Sequence, residues 1–144
     1  MTTIRHATPA DADAILSLMA GLGRLSLAAD PGPQRAIVLA HLAHPDGAIV
    51  VAEGDGQLAG CASLWVRPRL NQVRPEAWLP DLYVRPEQRR QGIANALLDA
   101  SVAWARERGC FALKLESGHD RAEAHRLHDA YGFDHFGAAY RLPL

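Results

Sequence analysis

Apolar positions along the chain change period several times, and each change marks an element. "TIRHA" reads as a first strand. "TPADADAILSLMAGLG" then places Ile15, Leu18, Met19 and Leu22 at helical spacing, with Thr8 as the N-cap, Pro9 at the first helical position, Asp11 as the capping acid and Gly21 and Gly23 at the end. "RLSLAADPGP" reads as a loop before a short helix around "QRAIVLAHLAH". "AIVVAEGDGQLAGCASLWV" carries two apolar runs about "EGDG", a hairpin pattern. After a polar, proline-bearing stretch, "WLPDLYV" predicts one strand and "GIANALLDASVAWARERG" a helix whose stripe is Ala94, Leu97, Leu98, Ser101, Val102 and Ala105. "CFALKLES" predicts a strand, "RAEAHRLHDAYGF" a helix stopped at Gly132, and "HFGAAYRLPL" a last strand. The order predicts an α/β (α+β) domain covering residues 1–144, its central sheet covered by helices.

Composition narrows the class. The 144 residues are 49% hydrophobic and 22% charged, enough for one core of ordinary globular make-up. A formal net charge of −1 gives neither nucleic acid nor membrane a general electrostatic attraction. Cys61 and Cys110 lack the spacing of a zinc or redox site and read as reduced thiols. The start lacks a secretory pattern and no apolar run is of bilayer length, so the expected location is the cytoplasm.

Candidate chemistry begins at "PEQRRQGIANALL". The helix must start near Gln91 and Gly92, where the first N–H groups have no internal partner and the helix dipole is positive. Arg89 and Arg90 stand just in front, and Gly92 lets an anion approach the backbone. A pyrophosphate fits such a turn; a solvated basic turn has the same composition. The Walker-type and dinucleotide-type glycine patterns are both missing from the sequence.

"LYVRPEQRRQGIANALL" resembles the acyl-CoA-binding motif of the Gcn5-related N-acetyltransferase (GNAT) superfamily, [RQ]-x-x-G-x-[GA] after an "L-x-V-x-P" strand. Arg89 through Ala94 satisfy it, with Arg90 where relatives often have glycine. "AHRLHDAYGF" resembles the family's "A-x-x-[FL]-Y-x-x-x-G-F" helix. The resemblance implies a GNAT fold, a mixed sheet of about six to seven strands with about four helices, and acetyl-CoA as cosubstrate. It implies that Leu82, Tyr83 and Val84 line the pantetheine arm, with main-chain groups of Leu82 and Val84 pairing with it. It also implies that N–H groups of Gln91, Gly92, Ile93 and Ala94 hold the pyrophosphate beside Arg89 and Arg90. Ser117 and Arg121 approach the cofactor by a further likeness to aminoalkylphosphonate and aminoglycoside N-acetyltransferases.

Acetyl transfer to an amine requires a proton acceptor for the ammonium, a polarised thioester carbonyl and a proton for the departing thiolate. The carbonyl role falls to a main-chain N–H near Tyr83. The family's usual acid is the helix tyrosine, and His128 occupies that position. Ala124, Leu127, His128 and Tyr131 share one stripe, so His128 faces inward. It reads either as the acid, with an unperturbed pKa of ~6.5, or as a core histidine with water as donor. Tyr131 is a weaker candidate. Glu76 is the candidate base, its rival reading a solvated loop carboxylate; Asp81 reads as a pairing residue at the bend beside Pro80. His119, Asp120, Glu123, His125 and His128 have spacing that chance also yields, so no metal is expected.

The acceptor is read as the primary amine of a small molecule. Its pocket is expected from "GRLSLAADPGP" and "WVRPRLNQVRPEAW", where Arg67, Arg69 and Arg74 form a candidate anion clamp. Two alternatives stand beside small-molecule transfer: an acyl-CoA sensor without turnover, and acetylation of a protein. A homodimer through the last strand and sheet edge is a further expectation.

Overall fold

A computed structural model describes residues 1–22, 30–116 and 122–144. The chain forms two compact units, Met1–Lys114 and Leu115–Leu144. In the first unit, β1 (Thr2–His6) leads through a 3-10 turn, Pro9–Asp11, into α1 (Ala12–Leu22). The Asp11 carboxylate accepts the Thr8 N–H at 2.7 Å, which fixes the helix start. Arg5 binds the same carboxylate at 2.8 Å, and its bonds, with burial opposing, hold the Asp11 carboxyl at about 2.

After α2 (Gly32–Ala43), β2 (Gly47–Gly54) and β3 (Gln57–Arg67) form the expected hairpin. Asp55 and Gly56 both take positive φ at its turn, the conformation that matches strand twist in a two-residue loop. β4 (Glu76–Leu79), β5 (Leu82–Val84) and β6 (Leu113–Leu115) complete a six-stranded sheet of order β1-β2-β3-β4-β6, with β5 also paired to β3. The pairings of β1 with β2 and of β3 with β2, β4 and β5 are antiparallel.

α3 (Ile93–Glu107) covers one face of the sheet. Leu97 and Leu98 are fully buried, each contributing ~1.5–3 kcal/mol by leaving water. Ser101 is also fully buried and satisfies its hydroxyl by donating to the Leu97 carbonyl at 2.7 Å. Trp104 belongs to this stripe, 4% exposed, and was not among the residues expected there. On the other face, Ile15, Leu16 and Leu18 of α1 and Val38 of α2 pack over Ile49, Val51 and Cys61. Among the described residues, no helix is long and apolar enough to cross a membrane.

Two expectations about strands are corrected. "WLPDLYV" forms two strands, because Pro80 has no N–H to give to a ladder and the chain breaks at Pro80–Asp81. "HFGAAYRLPL" forms no strand: its alternating apolar pattern has no ladder among the described residues, and Phe136, Tyr140 and Leu142 are exposed. In the second unit, α4 (Ala122–Tyr131) ends as expected. Gly132, at φ 115°, lets the Phe133 N–H return to the His128 carbonyl at 3.0 Å.

Candidate active site

The break at Pro80–Asp81 has a direct consequence for main-chain chemistry. β4 lies between β3 and β6, whereas β5, its continuation, pairs only with β3 among the described residues. The Asp81 carbonyl accepts the Ser63 N–H at 2.9 Å, and the Arg85 N–H donates to the Ala59 carbonyl at 2.8 Å. In an antiparallel ladder alternate residues turn their polar groups to the same neighbour. Asp81, Tyr83 and Arg85 therefore face β3, and Leu82 and Val84 present N–H and C=O groups to the other edge. An extended amide-bearing chain can pair there.

Tyr83, expected beside the cofactor, sits between Leu82 and Val84 on β5 with its side chain turned inward. Its main chain pairs with Cys61 and its side chain, 8% exposed, lies with its hydroxyl against Gly21 of α1. The residue anchors β5 to the helix layer.

From Val84 the chain makes a 3-10 turn, Pro86–Gln88, and reaches the basic turn. Arg89 folds back over β5: its Nε donates to the Val84 carbonyl at 3.0 Å and its guanidinium lies 5.6 Å from the Tyr83 ring centre. Arg90 holds φ at 62° and Gly92 at 79°, so two left-handed residues bracket Gln91 and swing the chain into α3. Gly92 is the N-cap, and a Cβ built on it meets no atom within 4 Å. The space before the helix is therefore open to a ligand, and the unpaired first-turn N–H groups from Ile93 onward face it with the positive end of the dipole. These donors suit a pyrophosphate.

Glu76 is not the solvated carboxylate of the rival reading, nor is it poised as a base. Its side chain is fully buried at the junction of β3, β4 and β6. Arg67 reaches Oε2 at 2.6 Å, while Arg69 and Lys114 reach Oε1 at 2.6 Å and 3.1 Å. Burial pushes the carboxyl up, but the bonds from Arg69, Lys114 and Arg67 outweigh it and hold the group at about 2. A carboxylate that binds protons so weakly is a poor acceptor for an ammonium proton. The same geometry corrects the anion clamp. Arg67 and Arg69 are committed to Glu76, and Arg67 also stacks 4.4 Å from the Trp78 ring centre; Arg74 is exposed.

The polar group sequence reasoning undervalued is Asp81. Its Oδ2 accepts the Ser63 hydroxyl at 2.8 Å, beside a cavity of about 200 Å³ under α1 and α2. Cys61 lines the same cavity, and burial, with the Asp81 charge adding to it, pushes its thiol up to about 12. It is no nucleophile at neutral pH.

His128 lies on the half-buried stripe of α4 with Ala124, Leu127 and Tyr131, as the helical spacing indicated. Its ring meets Phe133 edge-on at 5.8 Å. Ser117, His119, Asp120 and Arg121 lie outside the described residues.

Comparison with known proteins fits this geometry. The profile of the Acetyltransferase (GNAT) family matches residues 21–133. The chain belongs to that family. It is 34% identical to an aminoglycoside N(6′)-acetyltransferase type 1 of Stenotrophomonas maltophilia, over 99% of this chain and 94% of the other. It is 30% identical to an aminoalkylphosphonate N-acetyltransferase of Salmonella typhimurium, over 92% and 86%. The aminoglycoside N-acetyltransferase AAC(6′)-Iy, solved in complex with CoA, superimposes with a TM-score of 0.88 at 20% identity, covering 100% of this chain and 95% of that one. This GNAT chain thus shares the fold, and its relatives are enzymes of acetyl transfer.

Proposed function

We propose that the protein is an N-acetyltransferase that moves the acetyl group of acetyl-CoA to the primary amine of a small molecule by direct attack. The observation that carries this is a β5 edge with no partner strand among the described residues, its Val84 carbonyl bonded only by the Arg89 side chain, followed within eight residues by an open, positively charged helix start. Leu82 and Val84 offer main-chain groups to the pantetheine arm. Gly92, Ile93 and Ala94, with Gln91, offer N–H groups to the pyrophosphate, with Arg89 and Arg90 beside it; Arg89 reaches its oxygens by exchanging its bond to the Val84 carbonyl. Arg121 joins them by the family likeness. The family profile runs through both compact units, which supports one acetyltransferase domain. The small-molecule relatives favour a small acceptor over a protein.

In the reaction, the neutral amine attacks the thioester carbon, the C–S bond breaks, and the amide forms. One ammonium proton goes to water and one ends on the CoA sulfur. His128 is the proposed donor of that second proton, and the buried thiol of Cys61 supports direct attack over an acyl-enzyme. The reading is tested by calorimetry with acetyl-CoA and by release of free thiol in the presence of amines. Binding in the micromolar range and amine-dependent thiol release are expected; no heat with either the native chain or an Arg89→Glu variant ends the proposal. A His128→Ala enzyme is expected to lose most turnover at low pH, where the native imidazole carries the proton it donates, and to approach the native rate at high pH, where that imidazole is neutral. An unchanged pH profile removes His128 from the chemistry.

A further inference from the structure

The cavity beneath α1 and α2 has an unequal distribution of chemistry. Its walls are mainly hydrocarbon: Ile15, Met19, Ile37 and Val38 face it, with Gln34 the one amide among the described lining residues, and Ile37 is 68% exposed. Its floor carries Asp81 and the buried Ser63. Among the described lining residues Asp81 is the only acid and there is no Lys or Arg. His41, the remaining titratable side chain besides Cys61, turns Nε2 to the carbonyls of Leu64 at 2.9 Å and Ala48 at 3.1 Å. The cavity therefore presents one negative charge at the end of an apolar slot.

Asp81 is also fixed in place twice. Its carboxylate accepts the Ser63 hydroxyl and its carbonyl accepts the Ser63 N–H, so backbone and side chain are held by the same residue of β3. It immediately precedes Leu82, the first residue of the β5 edge proposed for the pantetheine arm. Asp81 therefore joins the cavity to the start of that edge.

Resting on the acetyl-transfer reading, we propose that this cavity is the acceptor pocket and that it selects a small primary amine with a hydrocarbon body, its ammonium held by Asp81. The class excludes the polycationic polyols and the anionic amines on which the named relatives act. A sugar ring would leave hydroxyls unpaired against Ile15, Met19 and Val38. A cavity of about 200 Å³ also lies below the ~300–1,000 Å³ that drug-sized ligands fill. A phosphonate or carboxylate would meet the Asp81 charge, and Arg67 and Arg69 are already bound to Glu76. Asp81 binds and positions the amine; Ser63 orients Asp81 by its hydrogen bond.

The test uses the full chain and acetyl-CoA with 2-phenylethylamine, hexylamine, kanamycin and 2-aminoethylphosphonate as acceptors. The two lipophilic amines are expected to have the highest kcat/KM. Asp81→Asn, which keeps an oxygen for the Ser63 hydroxyl, is expected to raise the KM for 2-phenylethylamine about tenfold or more, the loss of a charge-assisted bond. The same change should leave inhibition by the uncharged isostere 2-phenylethanol and the affinity for acetyl-CoA within about threefold. A preference for kanamycin or the phosphonate, or equal loss of amine and alcohol in the variant, overturns the pocket while leaving acetyl transfer standing. If acetyl-CoA does not bind at all, the acetyl-transfer reading falls instead. Direct calorimetry of 2-phenylethylamine on native and Asp81→Asn protein then decides the pocket alone.

Discussion

Arg67 and Glu76 face each other across β3 and β4 in ladder register, with the guanidinium 2.6 Å from a carboxylate that no water reaches. Arg69 and Lys114 bring two more positive charges to the same group, Lys114 from β6. One buried anion thus holds three strands at the end of the sheet. Charge at this density is stabilising only while the anion is ionised.

Replacing Glu76 leaves three cations facing one another. Glu76→Ala is expected to cost ~3 kcal/mol or more in denaturant unfolding, the usual result of removing one partner of a buried pair. Because the carboxyl sits at about 2 in the fold against an ordinary 4.5, its contribution is complete above 4.5 and is lost as the pH falls toward 2. The acid-unfolding curve of Glu76→Gln should lose that part of its slope, keeping the part from Asp11, which is held at about 2 by Arg5. A base usually supplies ~10²–10⁴ in rate. Turnover per folded molecule should fall far less than that in Glu76→Gln, and a hundredfold drop with intact folding would restore Glu76 as the base.

Arg90 holds a φ of 62° without being glycine. Left-handed backbone costs a side-chain-bearing residue ~1–2 kcal/mol, partly offset because glycine loses ~0.5–1 kcal/mol more in chain entropy on folding. Arg90→Gly should therefore raise stability slightly, by ~0.5–1 kcal/mol in thermal melts, while weakening acetyl-CoA binding through the lost charge. Gly92→Ala should do harm on both counts. Its φ of 79° becomes strained, and the new Cβ enters the open space in front of α3. Calorimetry with acetyl-CoA should show about a tenfold loss or more, since backbone donors at a helix start act only at close range.

Local pattern made much of this visible. The capped start of α1, the Asp-Gly hairpin turn, the glycine at the head of α3 and the Gly132 stop are all short-range features, and each took the place its chemistry indicated. Trp104 was legible too, three residues after Ser101 on the same stripe. What could not be read depends on partners far along the chain. Glu76 changes from base to structural anion because Lys114 lies 38 residues away in sequence but 3.1 Å away in space. Asp81 gains its role from Ser63, 18 residues back. The last apolar stretch alternates like a strand, but a strand exists only with a neighbour to bond, and sequence does not name the neighbour.

Cys61 is the buried thiol closest to the proposed chemistry. With its pKa pushed up to about 12, roughly one molecule in 10⁴ is thiolate at pH 8. Native protein at pH 8 should resist iodoacetamide at Cys61 and react first at the half-buried Cys110; in denaturant both should react. After incubation with acetyl-CoA, intact mass should show no stable acetyl group on Cys61. Rapid alkylation of Cys61, or an acetylated peptide containing it, would contradict both the burial and the direct-attack route.

Gly21 is the point where α1 touches β5. It lies in the last turn of α1, as the sequence indicated, and a Cβ there would stand 2.7 Å from Cζ of Tyr83. Two effects compete in Gly21→Ala. Alanine gains ~1 kcal/mol in helix propensity over glycine, while overpacking of a filled core costs ~1–3 kcal/mol. The overlap is with a rigid ring whose backbone is laddered to Cys61, so neither side can yield cheaply. Overpacking should win, with a net loss of ~1 kcal/mol, and Gly21→Val should lose more. The displaced Tyr83 would shift β5 and with it the Leu82 and Val84 edge, so acetyl-CoA affinity should fall together with stability. A Tyr83→Leu change in the Gly21→Ala background should cost less than the two changes added separately, because the residues share one contact. Strict additivity in that cycle would mean that the helix and the cofactor edge are not coupled through this pair.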